Sequence, residues 1–156
     1  MHIKTIPIAS GTGLSTAQQD ALRAVVALMI PGSAQYQVPG ADDEVIFADI
    51  ASSLGRDTGS VVQALKYLDG MSNGFFLDAP VPTRQAVVER FRSAHPSLAT
   101  VLVAVTTRCY YRDDRVMRSI GMDPRPPFPQ GFEVEQGDWS LLDPVRARGK
   151  IYRDAS

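Results

Sequence analysis

The chain has 156 residues, 44% of them apolar and 21% charged, with a net charge of −1. That balance is that of one ordinary globular domain with a hydrophobic core of its own, and it argues against a nucleic-acid binder that works by neutralising phosphate. Its single cysteine, Cys109, excludes an intramolecular disulfide, a thiolate metal cluster and a C-x-x-C-H haem attachment.

The N-terminal stretch Met1-His2-Ile3-Lys4 has neither the apolar core of a signal peptide nor a twin arginine. Nowhere does the sequence approach the ~20 apolar residues of a membrane span. The expectation is a cytoplasmic chain, or a periplasmic one if a signal was removed or a partner carries it out. Ile3 to Ile8 is one candidate strand, followed by Gly11-Thr12-Gly13. A strand, a G-x-G turn and a helix would suit the start of a dinucleotide-binding unit. Thr16 stands where the third glycine belongs, however, and Pro7 sits badly in a central strand. A flexible arm before a capped helix is the simpler reading.

Ser15-Thr16-Ala17-Gln18 has the form of a capping box. The helix it opens carries Leu22, Val25, Val26 and Met29 on one face, and Pro31-Gly32 ends it. Asp42-Asp43-Glu44 suits the positive end of a second helix dipole, with Ile46, Phe47, Ile50, Ala51 and Leu54 as its stripe and Gly55 as C′ residue. A third helix starts at Asp57 or Thr58 and turns Val61, Val62, Leu65 and Leu68 inward. The span from Phe47 to Leu68 is a fair helix-turn-helix pattern. A DNA-reading helix would offer Arg, Lys, Asn or Gln at its start, whereas this one offers Asp57, so a plain helical hairpin is expected.

Thr83 is expected to cap a fourth helix with Val87, Val88 and Phe91 inside, stopping before His95-Pro96. The fifth begins near Pro96 and runs through Leu98, Leu102, Val105 and Cys109, with Cys109 as a small buried hydrophobe. Asp113 caps a short sixth, with Val116, Met117 and Ile120, closed by Gly121. The predicted fold is therefore all-α, a small bundle of about five to six helices with a long irregular proline-rich C-terminal tail. Its divisions are an arm over 1–14, a helical domain over 15–121 and an extended tail over 122–156.

No convincing catalytic apparatus emerges. His2 and His95 join neither a nucleophile nor a metal ligand set. Arg108, Arg112, Asp113, Asp114, Arg115 and Arg118 would suit an anion, but alternating signs at helical spacing more often make internal ion pairs. In the tail, Pro124 to Pro129 fixes an extended backbone, and Phe128, Phe132, Trp139, Leu141 and Leu142 are candidate anchors for pockets on a partner or on the bundle itself.

Three separated pieces resemble one family. Leu22 to Gly32, ending Ile30-Pro31-Gly32, is similar to the opening of the gluconate 2-dehydrogenase subunit 3 family, as is Pro39-Gly40-Ala41 before an acidic helix start. Phe91 to Gly121, with Cys109-Tyr110-Tyr111-Arg112-Asp113-Asp114-Arg115-Val116 and Ile120-Gly121, resembles that family's close. The likeness spans roughly 14–122. It implies a small subunit without cofactor, partnering a large flavoprotein of the glucose-methanol-choline (GMC) type that carries the FAD and the catalytic histidine. Two departures are the missing twin-arginine signal and Cys109, where the family often has glycine.

The expected function is thus a non-catalytic small subunit of a flavin-dependent sugar or alcohol dehydrogenase or oxidase. Tyr110, Tyr111, Arg112, Arg115 and the tail anchors would meet the large subunit, and no nucleic acid or membrane insertion is expected. A DNA-binding regulator using Phe47 to Leu68 is one alternative. A small independent enzyme using Arg112, Asp114 and His95 is another.

Overall fold

Side chains at helix starts fix the architecture in this computed structural model, which describes residues 13–125 and 136–150. The first helix, α1 (Thr16–Met29), opens with the expected capping box: the Gln18 amide donates to Ser15 Oγ at 3.3 Å, and the Ser15 amide donates to Gln18 Oε1 at 2.9 Å. Asp43 caps α2 (Glu44–Ser52), accepting from the amides of Val45 and Ile46. A 3₁₀ turn, Gly55–Asp57, leads into α3 (Thr58–Met71). Helix α2 stops before Leu54, so Gly55 serves not as its C′ residue but as the left-handed start of that turn, at φ +51°.

Helix α4 (Val81–Ala94) corrects the expected Thr83 cap, because Pro80 precedes it and Pro82 lies in its first turn. Proline presets a helical φ and has no N–H to satisfy, so this end needs no hydroxyl acceptor. Helix α5 (Pro96–Tyr110) begins at Pro96 as expected, and α6 (Asp114–Ser119) takes Asp113 as its cap. The buried Thr106 hydroxyl, inside α5, donates to the Leu102 carbonyl at 2.7 Å. Among the described residues there is no strand, and the candidate strand at Ile3 to Ile8 lies outside them.

Helices α2, α3 and α4 each pack on α5, and α1 packs on α3. The expected stripes supply the core: Leu22, Val25, Val26, Ile46, Ile50, Val61, Leu68, Phe91, Leu102, Val105 and Cys109 are almost wholly buried. Phe76 joins them from the connection between α3 and α4. The chain divides into two compact units, Met1–Pro124 and Arg125–Ser156. In the second, Trp139–Leu142 form a 3₁₀ turn that continues as α7 (Asp143–Ala147). The expectation of an irregular tail is therefore corrected over 139–147.

The connection from α1 to α2 doubles back on itself. Ser33 and Val38 exchange backbone hydrogen bonds at 2.9 and 3.1 Å, and the Ala41 amide donates to the Ile30 carbonyl at 2.9 Å. Gly40 is required where the two arms of this loop cross, since a Cβ there would stand 2.9 Å from the Gly32 nitrogen.

Phe76→Ala removes a buried ring from the loop between α3 and α4. It should cost about 3–5 kcal/mol, read as a lower urea midpoint with an unchanged slope. A midpoint within error of the wild type would show that the loop, not the ring, closes this side of the core.

Candidate functional site

The arginines singled out between α5 and α6 gather aspartates from other elements. Asp43 starts α2 and Asp113 starts α6, each because a short carboxylate can accept from the free amides of a first turn. Arg115 spans both carboxylates. Its Nη2 lies 2.7 Å from Asp43 Oδ1 and 2.9 Å from Asp113 Oδ2, while Nη1 reaches Asp43 at 3.2 Å and Nε reaches Asp113 at 3.0 Å. A planar guanidinium with five N–H groups can make two such forks, which a lysine cannot.

In the connection before α6, Arg112 forks onto Asp49 of α2, through Nε at 2.5 Å and through Nη2, and donates to Ser53 Oγ at 2.7 Å. Arg108 donates to the Ser53 carbonyl at 3.3 Å and lies 3.6 Å from Asp57. Arg118 pairs with Asp114 on an exposed face. The ion-pair reading of this charged group therefore holds, and each of these arginines meets an aspartate. Asp49 and Ser53, one turn apart on α2, were not singled out in the sequence. Their (i, i+4) spacing on the polar edge of an otherwise apolar helix was the available signal.

The pairing sets the protonation states. Hydrogen bonds from Arg115 hold the carboxyls of Asp43 and Asp113 below the usual carboxylate range, and those from Arg112 do the same for Asp49. Burial pushes the Cys109 thiol up, with the nearby Asp49 charge acting the same way. Cys109 is thus a buried neutral thiol, as expected of a packing residue.

Tyr110 and Tyr111 differ in burial. Tyr110 is buried and its hydroxyl donates to the Pro39 carbonyl at 3.1 Å, so it locks the α1–α2 loop onto α5. Tyr111 is exposed, its ring edge-on to Tyr110 at 5.3 Å. Three stretches far apart in the chain therefore meet in space: Ile30 to Gly32, Pro39 to Ala41, and Tyr110 to Arg115. Trp139, Leu141 and Leu142 are exposed on the second unit, whereas Phe128 and Phe132 lie outside the described residues. Exposed Phe75 and Leu77, flanking buried Phe76, were not singled out, although two aromatic residues in a glycine-led loop were a visible signal.

His95 caps the end of α4 and stacks on Tyr67 with ring centroids 4.0 Å apart. Among the described residues no group of three or more His, Cys, Asp and Glu could hold a metal ion, and no helix is long and apolar enough to cross a membrane. No family model matches the chain, and neither a curated protein nor a solved structure matches it.

The arginine pairs are partly exposed, so each is worth a fraction of a kcal/mol to about 1 kcal/mol. Because the aspartate pKa values are lowered by folding, their contribution is complete above about pH 4 and is lost as pH falls through the folded values. Acidification from about pH 7 to about pH 3 should therefore lower the urea midpoint, and Asp49→Asn should flatten that dependence. An identical pH profile in Asp49→Asn would remove Asp49 from the acid-labile set.

Proposed function

We propose that the chain is a non-catalytic small subunit of a flavin-dependent sugar or alcohol dehydrogenase or oxidase. Its large partner, of the GMC type, would carry FAD and the reacting residues, and this chain would hold that partner in its folded, assembled form. The reading rests first on the likeness of residues 14–122 to the gluconate 2-dehydrogenase subunit 3 family. One observation carries it further. Tyr111, Ile120 and Met122, around the turn that closes the bundle, are each 53% exposed.

These side chains sit beside charges that are already matched within the chain. A surface with satisfied ion pairs and exposed apolar groups can be desolvated against a protein without leaving buried charge unpaired. Arg112 and Arg115 then act mainly by fixing the shape of that surface, and Tyr111 is its aromatic anchor. The tail adds Trp139, Leu141 and Leu142, with Phe128 and Phe132 proposed alongside them. Oxidation of an alcohol at the flavin would proceed on the large subunit, and this chain contributes no group to it.

Affinity purification of the tagged full chain from its native host should yield a yellow, stoichiometric complex with a large flavoprotein, identified by mass spectrometry and visible absorbance. Tyr111→Ala should weaken that complex by at least about 1 kcal/mol, as for a buried aromatic anchor. A colourless chain without such a partner would overturn the subunit reading.

A further inference from the structure

Helices α1, α3, α4 and α5 leave an apolar cavity of about 70 Å³ between them. Its floor is the core itself: Val25, Leu68, Phe91 and Leu102, one from each helix, are all 3% exposed or less. Met29, Val88 and Ala99 line it at partly buried positions. Val103 is 48% exposed, so the cavity opens to solvent on that side. The carbon stem of Arg92 completes the rim, while its guanidinium pairs with Glu89 at 2.9 Å out in solvent.

Lining, size and charge together define what this cavity takes. No polar atom lines it. A water held there needs about 2–4 hydrogen-bond partners and would find none, so apolar matter fills it better. An engineered apolar cavity of about 150 Å³ stays dry and takes benzene or xenon. This one is smaller, and fits xenon or the end of a short alkyl chain rather than a ring. Arg92 is the one charged side chain at the rim, and Glu89 already neutralises it, so neither an acidic nor a basic head group gains by binding.

We propose that this cavity is a binding site for a small neutral apolar ligand, the end of an unbranched alkyl chain of a few carbons. A neutral polar group at the far end of that chain stays in water at the mouth, beside Val103. The site stands independently of the subunit reading, because all of its walls belong to this chain. Met29 suits the mouth, since an unbranched thioether re-packs around different shapes more readily than a branched side chain. A ligand held by the folded bundle and not by the unfolded chain stabilises the fold by mass action.

The test uses the full chain with isotope-labelled methyl groups and dissolved xenon as the probe. Xenon should shift the methyl resonances of Val25, Leu68, Val88, Leu102 and Val103 saturably, and leave those of Val45 and Ile120, exposed elsewhere, in place. n-Butanol should shift the same set, and butyrate should shift it more weakly. Ala99→Leu extends a side chain into the cavity, so it should abolish the xenon shifts and raise the urea midpoint. Val88→Ile adds one methylene, and decides the point where the larger Ala99→Leu overpacks. Absence of a saturable shift in the unaltered chain would overturn the site, as would a lowered midpoint in both variants. Tighter binding of butyrate than of n-butanol would overturn the neutral class in favour of an anion held by Arg92.

Discussion

One guanidinium joins the starts of two helices. Asp43 and Asp113 would serve as caps on their own, but two carboxylates brought together repel, and Arg115 between them turns that repulsion into a double fork. The contact links residues 72 apart and fixes α6 against the entry to α2. Arg112, three residues earlier, makes one such fork onto Asp49 and adds a bond to Ser53. The surface proposed for a partner is the outer side of this arrangement, so its shape follows from these pairs.

The same region explains why short apolar and glycine motifs far apart in the chain belong together. Gly32 and Gly40 allow the loop to cross itself, Ala41 bonds back to Ile30, and Tyr110 closes the crossing from α5. A β-carbon at Gly40 or loss of the Tyr110 hydroxyl would disturb the same few atoms. These separated stretches are thus parts of one joint.

Much of the fold was legible because it is written in local chemistry. Ser15 with Gln18, Asp43, Pro96 and Asp113 each announce a helix start within four residues, and the stripes from Leu22 to Cys109 are true to the helical period. Thr83 misled because a hydroxyl and two prolines compete for one first turn, and the prolines need no acceptor. The helix over 143–147 was missed because five residues are too few to show a helical period, and Pro144 occupies its first turn. At the candidate site, the sequence placed Arg112, Asp113 and Arg115 but not the pairing with Asp49 and Asp43, which lie 63 and 72 residues away, where spacing has no periodic meaning. It also treated Tyr110 and Tyr111 alike, since Tyr110 ends α5 buried and Tyr111 lies just past it exposed, a difference that depends on the core they meet.

Helix α5 is the surface on which α2, α3 and α4 are all laid, yet it is the fifth helix in chain order. On the ribosome, the first four helices emerge before the element that completes their packing. Until residues 96–110 clear the exit tunnel, the inner faces of α2, α3 and α4 have no α5 to cover them. Maturation of this bundle therefore waits on α5, and a nascent chain paused before Pro96 presents apolar surface to chaperones.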